Sequence, residues 1–293
     1  MDRNRPFLFC FGLGYSALEL ARRLQSGGWR IAGTCRSEAS AAPLRAAGIE
    51  VTLFDRQNPP AAADSVLAEA THVLSSVPPD EAGDPVLDLW GPALARNRDL
   101  AWAGYLSTTG VYGDRSGGWV DESSALSPTG ERGRRRVEAE AGWLGLRRDS
   151  GLPVHLFRLA GIYGPGRSAL DTMRSGRAQR VVKPGQVFSR IHVADIATIL
   201  EASMAKPNPG AAYNVCDDDP AAPDTVIAYA AALLGLTPPP EIAFAEAGLS
   251  EMARSFYADN KRVANDRIKR ELGVTLAYPS YRDGLAALLA AGH

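Results

Sequence analysis

The sequence predicts an α/β fold in which helices cover both faces of a mostly parallel β-sheet. In the first 160 residues, short apolar runs alternate with segments of helical periodicity, the pattern of strand–helix–strand units with right-handed crossovers. The apolar runs are continuous, as expected for strands that are buried on both faces. From about residue 161 onward the alternation is lost, and Gly and Pro become frequent. We therefore predict a doubly wound core over residues 1–160 and a smaller lobe over residues 161–293, interleaved with the core.

The core elements follow in order along the chain. The run PFLFCF predicts the first strand, and residues 15–25 predict a helix that Gly27 and Gly28 end. Asp84 followed by Pro85 predicts the start of a helix over residues 84–99. NKRVANDRIKRELG and YPSYRDGLAALL predict two amphipathic helices near the end of the chain. The other strands are predicted in WRIAGTC, IEVTLFD, THVLSSV, WAGYLST and LPVHLFRLA, with an Ala-rich helix after the first and an Arg/Glu-rich helix before the last.

The composition is that of a soluble globular protein without a large net charge. Of 293 residues, 45% are hydrophobic and 22% are charged, and the net charge is −1, so no bulk charge attracts nucleic acid or a membrane surface. No apolar stretch is long enough for a signal peptide or a membrane span, which predicts a cytoplasmic location. Cys10, Cys35 and Cys216 lack disulfide or metal-ligand spacing. We predict reduced cysteines in apolar surroundings and no metal site.

A glycine-rich turn follows the first predicted strand directly. Residues 12–17 read GLGYSA, the form G-x-G-x-x-A, with a strand before it and a helix after it. Gly12 allows the tight turn, Gly14 lets the backbone approach a pyrophosphate, and Ala17 allows close packing of helix on strand. The helix N-terminus then faces the anion. This context predicts a Rossmann-type dinucleotide site.

The tip of the second strand bears on the choice between NAD and NADP. A site specific for NAD carries an acidic residue there, but this chain has Arg36 and Ser37 and no acid before Glu38. Arg36 offers a planar, permanently charged set of donors to a 2′-phosphate. This favours NADP over NAD, with a solvated loop arginine as the alternative. Asp55, after the third strand, is either a partner for the adenine amino group or a solvent-facing carboxylate.

Five segments, in this order and spacing, resemble the short-chain dehydrogenase/reductase superfamily, in particular its extended and atypical members related to nucleotide-sugar epimerases and dehydratases. They are GLGYSA (12–17), LSTTGVYGD (106–114), RLAGIYGPG (158–166), SRIHVADIA (189–197) and YNVCDD (213–218).

The resemblance implies a role for several residues. Thr108 falls where a catalytic Ser/Thr contacts the substrate oxygen, and His192 and Asp195 match a motif that mostly braces the substrate lobe. Thr109 stands where dehydratases of the family keep an acid, which disfavours elimination chemistry. The full predicted cofactor-binding set is Gly12, Gly14, Tyr15, Ser16, Ala17, Arg36, Ser37, Asp55, Val77 and Ile162.

The stretch SPTGERGRRRVEAE departs from the pattern that this resemblance implies. Counting in fours from Pro128 reaches Arg132, Arg136 and Glu140, where the family has tyrosine, lysine and glutamate. Arginine stays protonated at neutral pH, so Arg132 cannot shuttle a proton as the tyrosine does. Arg132 could instead stabilise an oxyanion and Arg136 could donate to the nicotinamide ribose. The alternatives are a solvated helix face and an ion pair between Arg136 and Glu140.

Tyrosines after the fifth and sixth strands are candidates to replace the lost acid/base. They are Tyr112 and Tyr163, of which Tyr163 is the better candidate. The resemblance implies that residues at both positions are more often structural or substrate-lining aromatics. Four basic residues cluster in the stretch that covers a substrate's phosphates in the family, which suits an anionic or nucleotide-linked small molecule; scattered surface charge is the alternative. They are Arg167, Arg174, Lys183 and Arg190.

Three functions are compatible with this pattern. The first is an NADP-dependent atypical oxidoreductase that acts on a small or sugar-nucleotide substrate. The second is a non-catalytic NADP(H) sensor or scaffold, which the loss of tyrosine and lysine favours and the retained Thr108 opposes. The third is a nucleotide-sugar epimerase, which would lack its acid/base. Many relatives dimerise through the helix that carries the tyrosine and lysine, so a homodimer is compatible with each.

Overall fold

The computed structural model describes residues 5–57, 59 and 63–293. The α/β fold with a central parallel sheet is confirmed. The strands are β1 (Phe7–Phe11), β2 (Arg30–Cys35), β3 (Glu50–Leu53), β4 (His72–Ser75), β5 (Trp102–Thr108), β6 (Trp119–Val120), β7 (Val154–Leu159), β8 (Gly161–Tyr163), β9 (Arg180–Val182), β10 (Arg190–His192), β11 (Ala212–Val215), β12 (Glu241–Ala243) and β13 (Arg262–Val263). The α-helices are α1 (Tyr15–Ser26), α2 (Glu38–Ala46), α3 (Ala63–Ala68), α4 (Pro85–Arg96), α5 (Glu131–Ser150), α6 (Ala169–Arg174), α7 (Val193–Ala205), α8 (Pro223–Leu233), α9 (Glu251–Tyr257) and α10 (Tyr281–Ala290).

The chain forms two compact units whose sequences alternate. The first unit comprises the described residues of Met1–Ser107, Arg134–Arg158 and Ala197–Tyr213. The second unit comprises Thr108–Gly133, Leu159–Ile196 and Asn214–His293.

A seven-stranded sheet dominates the first unit within the described part of the chain. Its order is β11-β7-β5-β4-β1-β2-β3, and β1 is parallel to both of its neighbours. Every residue of β1 is buried, which explains its continuous apolar sequence. Of the strands in this sheet, β11 is the last along the chain; it comes from well beyond residue 160 and adds to the sheet beside β7. The core sheet therefore needs a segment that the sequence pattern assigns to the lobe.

The helices of the first unit pack on this sheet through apolar residues. In α1, Ala17, Leu20, Ala21 and Leu24 are buried at the spacing of one helix face, and Gly27 caps the helix end. Phe11, Phe54 and Trp90 form a cluster of rings with centroids about 5 Å apart. Each such side chain stabilises the fold by about 1.5–3 kcal/mol through its removal from water.

Asp84 caps α4, as the sequence predicts. Its Oδ1 atom accepts from the amides of Val86 (2.8 Å) and Leu87 (3.2 Å), and Pro85 occupies the first turn. Its Oδ2 atom accepts from the Trp143 indole at 3.0 Å, a bond between α4 and α5 that the sequence did not reveal. Burial raises the pKa of Asp84, which shows how far this carboxylate is removed from water. The cap therefore also ties two helices together.

The second unit consists of short strand pairs and helices. Its pairs β8–β10, β9–β12 and β6–β13 are parallel, and α6, α8 and α10 pack around a core that contains Leu170 and Leu285. The prediction of a helix over NKRVANDRIKRELG was wrong in its first half, because residues 262–263 pair with β6 as strand β13. The second half is helical from residue 266 and ends in the five-residue π-helix Ile268–Leu272. The final predicted helix is confirmed as α10, which Ser280 and Asp283 cap reciprocally.

We expect Asp84→Ala to lower the free energy of unfolding by about 2–4 kcal/mol. The substitution removes the helix cap and leaves a buried indole N–H without an acceptor. Equilibrium urea unfolding measures the effect. Asp88→Ala is the control, because Asp88 is a partly exposed carboxylate on the same helix that pairs with Arg56, and its loss should cost under about 1 kcal/mol. Equal losses in the two variants would contradict this account.

Candidate functional site

The first unit places the predicted phosphate loop where the strand order reverses. β2 and β3 lie on one side of β1, and β4 and β5 lie on the other. In open parallel sheets such a reversal opens a crevice at the carboxyl ends of the strands, where ligands bind. The loop is bonded to both neighbouring strands. The Gly12 amide donates to the Thr34 hydroxyl (2.9 Å), and the Ser76 hydroxyl donates to the Gly12 carbonyl (2.6 Å).

The shape of this loop depends on the absence of side chains. Gly12 has φ +84°, a left-handed conformation that favours glycine. A Cβ atom at Gly33 would lie 2.5 Å from the Cys10 carbonyl oxygen, so the loop and β2 approach closely only because that residue is glycine. Gly14 caps α1 without offering a side-chain acceptor, and no described atom lies within 4 Å of the place where its Cβ would be. The first amides of α1 are therefore suited to an anionic ligand.

The other predicted residues of the loop lie beside it. Tyr15 begins α1 and is half-buried, whereas Ser16 and Ala17 are buried. Full burial of Ala17 agrees with its predicted role in helix–strand packing. Val77 lies just after β4, and its Cγ2 atom is 3.3 Å from the point where a Cβ of Gly12 would be. Val77 therefore borders the loop from the neighbouring strand.

The tip of β2 presents an exposed arginine. Arg36 is exposed and makes no hydrogen bond or ion pair with any residue that the structure describes. Glu38, the nearest acid, is engaged by an ion pair with Arg45. Ser37 caps α2, accepting from the Ser40 amide at 3.4 Å, and its hydroxyl also lies 3.0 Å from that of Ser40. The charge available at this tip is therefore positive.

Asp55 follows β3 and is exposed. Its Oδ1 atom accepts from the amide of Gln57 at 3.1 Å, which orders the turn after the strand. The second carboxylate oxygen has no hydrogen bond within the described chain. The geometry is compatible with both interpretations of this residue, a partner for adenine and a solvent-facing carboxylate.

Arg136 lies on α5 and bonds to β5. Its Nη1 atom donates to the Leu106 carbonyl at 2.5 Å and to the Tyr105 hydroxyl at 3.2 Å. Its guanidinium carbon is 5.6 Å from the centroid of the Tyr105 ring. Nε and Nη2 make no hydrogen bond to the described residues, so they remain as donors. The expected alternative, an ion pair with Glu140, is not formed.

Glu140 is engaged in a buried network that fixes α5 against two strands. It pairs with Arg158 of β7, with 2.7 Å between Oε2 and Nη2, and it accepts from the Ser107 hydroxyl at 2.6 Å. The side chains of Glu140 and Arg158 are 3% and 7% exposed, so each charge depends on the other. The network holds the end of β5, next to Thr108, and the helix that carries Arg136.

In the second unit, Thr108 has its side chain in a capping position. It is half-buried, and its hydroxyl accepts from the Gly110 amide at 3.1 Å, which caps the 3₁₀ helix Thr109–Tyr112. A hydroxyl that accepts one bond can still donate its proton to another acceptor. This geometry leaves the Thr108 hydroxyl able to donate to another acceptor.

Arg132 is exposed at the start of α5 in the second unit. Its guanidinium lies 5.9 Å from the centroid of the Phe256 ring on α9, and Phe256 is itself 57% exposed. No hydrogen bond to a described residue holds the guanidinium. Arg132 is therefore a cation in a weak aromatic contact, and its donors are available to a ligand.

Tyr163 is buried and packs inside the second unit. Its hydroxyl is 3.4 Å from the Ser280 carbonyl oxygen, and a side chain on Gly284 would overlap it. Burial raises the pKa of Tyr163 well above its usual value, so it resists ionisation. This placement favours the structural role over acid/base catalysis. Ile162, its neighbour in β8, is half-buried and pairs with Ile191.

The SRIHVADIA segment braces the second unit. Asp195 accepts from the amides of Ala277 (2.8 Å) and Tyr278 (3.0 Å), which holds the segment before α10. His192 packs against the rings of Tyr163 and Tyr278, and burial lowers its pKa to about 4. A histidine that is neutral at physiological pH agrees with the structural role expected from the sequence.

Other candidate groups are distributed more widely. Tyr112 donates to Asn214 at 2.7 Å and is fully buried, as a structural tyrosine would be. Cys10 and Cys216 are buried, and burial raises the pKa of the Cys10 thiol to about 12. Cys35 differs from the expectation for all three, because it is half-exposed at the end of β2.

The described residues offer neither a metal cluster nor a membrane span. No group of three or more His, Cys, Asp or Glu side chains among them is arranged to hold a metal ion. None of the helices formed by these residues has the length and apolarity to cross a membrane.

The comparison with known proteins gives one close structural relative. The solved structure of a conserved protein of unknown function from Silicibacter pomeroyi DSS is 53% identical to the chain. It has a TM-score of 0.89, and the match covers 98% of this chain and 99% of that one. The two chains belong to one family. No protein-family model matches the sequence.

Two more distant comparisons extend this result. Protein YeeZ of Escherichia coli (strain K12) is 28% identical over 281 residues, which are 92% of this chain and 94% of YeeZ. UDP-glucuronic acid 4-epimerase from Bacillus cereus, solved with UDP-glucuronic acid and NAD, has a TM-score of 0.79 at 15% identity, over 97% of this chain and 98% of the epimerase. At that identity the match shows a common fold. NAD-dependent nucleotide-sugar epimerases and dehydratases are thus among the structural neighbours of the family.

Sequence reasoning missed the groups that fix the site in place. Ser107 and Arg158 were not singled out, although both bond to Glu140. A polar residue at the end of an apolar strand and an arginine inside another apolar strand were the available signals, because a buried charge needs a partner. Tyr105, in the middle of WAGYLST, was a similar signal.

We expect Glu140→Gln to lower the free energy of unfolding by about 3–5 kcal/mol, because the buried Arg158 charge would lose its counter-ion. Equilibrium urea unfolding gives the measurement. Glu138→Gln serves as control, since Glu138 is exposed on the same helix and its change should stay within about 0.5 kcal/mol. If Glu140→Gln were tolerated as well as the control, the buried ion pair would not be what fixes α5 against the sheet.

Proposed function

We propose that the protein binds NADP(H) and acts as an atypical short-chain dehydrogenase/reductase, an oxidoreductase on a small anionic substrate such as a sugar nucleotide. The observation that carries the proposal is the loop at Gly12–Gly14. It is bonded to both neighbouring strands at the reversal of strand order, and it leads into a helix whose first amides have no side-chain cap. This is the arrangement that binds a pyrophosphate.

The choice of NADP over NAD rests on charge at the tip of β2. Structural neighbours were solved with NAD, so NAD is the competing cofactor. In this chain the exposed group is Arg36, and the nearest acid, Glu38, is paired with Arg45. The carboxylate of residue 38 is therefore not available to accept from a ribose hydroxyl, whereas the guanidinium of Arg36 is available to bind a 2′-phosphate.

The chemical step requires little of the protein beyond position and charge. The bound nicotinamide supplies hydride transfer. Thr108 would donate its hydroxyl to the substrate oxygen, and Arg132 would stabilise negative charge that develops there. Neither Arg132 nor Arg136 can give up a proton at neutral pH, and Tyr163 is buried with a raised pKa. The proton must therefore exchange with solvent, so we expect slow turnover.

Arg136 would act on the cofactor side. One of its nitrogen atoms is bonded to β5, which fixes the guanidinium, and two nitrogen atoms remain as donors for a ribose hydroxyl. This division lets the residue replace the donor function of the family's lysine. It does not replace a lysine's effect on the acidity of a tyrosine, because no tyrosine stands at residue 132.

The second candidate function is a non-catalytic NADP(H) sensor or scaffold. The observation that favours it is the loss of both residues of the tyrosine–lysine pair, with no ionisable group of suitable pKa in their place. A nucleotide-sugar epimerase is the third candidate; it has the support of the shared fold but lacks an acid/base at residue 132.

We expect NADPH to bind more tightly than NADH, and Arg36→Ala to weaken NADPH binding about tenfold, equivalent to about 1.4 kcal/mol. The substitution removes a charged donor from the 2′-phosphate and should leave NADH binding nearly unchanged. Nicotinamide fluorescence during titration measures both affinities. Arg22→Ala is the matched control, because Arg22 is an exposed arginine on α1 outside the predicted site.

Two results would contradict this assignment. Equal loss of NADPH binding in the Arg36 and Arg22 variants would show that only overall charge matters. No binding of either cofactor would mean that the Gly12–Gly14 loop holds no dinucleotide, and the oxidoreductase proposal would fail.

We expect cofactor-dependent turnover to fall about 100-fold in Thr108→Val, which removes the hydroxyl, and to survive in Thr108→Ser, which keeps it. The assay follows nicotinamide absorbance with NADP and NAD on a panel of UDP-sugars that includes UDP-glucuronic acid. Unchanged turnover in Thr108→Val would remove Thr108 from the mechanism. Tight cofactor binding without turnover on the whole panel would favour the sensor.

A further inference from the structure

The second unit contains a cavity of about 450 Å³ among α6, α8 and α10. This volume is in the range of small-molecule sites. Residues of α6, α8 and α10 line it, together with the loop after β8 and a residue of β10. All of its lining residues belong to the second unit, whereas the predicted dinucleotide loop belongs to the first. Arg167 and Arg190 are also among the basic residues expected to contact an anionic substrate, so the inference rests on the proposed function and narrows its substrate class. Binding of NADPH at the first unit is measured separately, so the two can fail independently.

One side of the cavity is cationic. Of the described residues that line it, four carry charge: Arg167, Arg177, Arg190 and Asp171. Arg167 and Arg177 are exposed at the rim, whereas Arg190 is half-buried. The Nη1 atom of Arg190 donates to the carbonyls of Phe188 (2.8 Å) and Ala221 (3.0 Å), which anchors the side chain to the backbone. Its remaining nitrogen atoms have no hydrogen bond to the described residues.

The neighbouring carboxylates do not balance this charge. Asp171 is used in the cap of α6, where it accepts from the Ser168 amide (2.8 Å) and hydroxyl (2.6 Å). Asp219 pairs with Arg282 at 2.5 Å. Asp217 does not line the cavity and makes no ion pair with Arg190, and burial raises the pKa of its carboxyl to about 8. Three arginines and one aspartate among the described lining residues leave an excess of positive charge.

The other side of the cavity is apolar and aromatic. Val226, Ile227 and Leu285 line it with the rings of Tyr163 and Tyr281. These side chains can pack against the apolar or aromatic part of a ligand.

We propose that this cavity binds a small organic anion, an apolar or aromatic body that carries one carboxylate or phosphate group. The anionic group would contact Arg167, Arg177 and Arg190, and the body would pack on the apolar side.

The test uses phenyl phosphate and benzoate as probes, with benzyl alcohol as the neutral analogue, in calorimetric titrations of the full chain at physiological ionic strength. We expect one saturable site for at least one of the two anions and much weaker binding of the alcohol. The stronger of the two anions identifies the anionic group. Arg167→Ala and Arg177→Ala should each weaken that binding about tenfold, because each removes a charged donor.

Two further variants make the test decisive. Arg270→Ala is the matched control: Arg270 is an exposed arginine of the second unit that does not line the cavity, and its loss should change affinity less than twofold. Ile227→Trp should abolish binding by filling the apolar side, with an unchanged thermal midpoint as evidence of folding. Three results would overturn the proposal: no saturation by either anion at millimolar concentration, equal affinity for benzyl alcohol, or an equal loss in Arg270→Ala.

Discussion

The turn at Gly12 is bonded to the strands on both sides of it, and the arrangement of the first unit's candidate site depends on that geometry. The Gly12 amide donates to Thr34 of β2 and the Gly12 carbonyl accepts from Ser76, directly after β4, so the loop is held against both strands. The parallel strands bring their carboxyl ends to one edge, so Arg36, Asp55 and Val77 follow the same edge as the loop. A ligand that binds the loop is thereby presented to residues that are far apart in sequence. Backbone geometry, rather than any single side chain, therefore sets the shape of this edge.

The arginines of α5 differ in what the structure lets them do. Arg136 is fixed to β5 through one nitrogen atom, while Arg132 contacts only an exposed ring. Arg135 is paired with Glu81 at 3.5 Å, and Glu81 is almost fully exposed, so that pair contributes little. The three side chains carry the same charge but are held by contacts of different strength. Rigid donors suit a cofactor that always binds in one pose, and mobile donors suit a substrate or a developing charge.

The parts of the fold that the sequence predicts are those determined locally. The strands follow from continuous apolar runs, and the α4 cap follows from Asp84 beside Pro85, because both signals act within a few residues. The partner of Glu140 could not be found in this way, since Arg158 lies on another strand and only the packing of α5 brings them together. The placement of β11 in the core sheet, the strand at Arg262–Val263 and the burial of Tyr163 have the same origin. Each depends on tertiary contacts that no local pattern encodes.

Under the proposed function, arginine in place of the tyrosine and the lysine changes the electrostatics that a substrate would meet. A tyrosine and lysine pair moves protons because one group can ionise near neutral pH, whereas two arginines provide permanent charge and no proton. Permanent charge at residue 132 would favour any state in which a substrate oxygen is negative, whether that state is transient or is the bound ligand itself. The same physical feature therefore supports both oxyanion stabilisation and simple anion binding. What would separate them is whether Thr108 donates to an oxygen that changes its charge, the role proposed for it; its hydroxyl accepts from the Gly110 amide and keeps its proton for another acceptor.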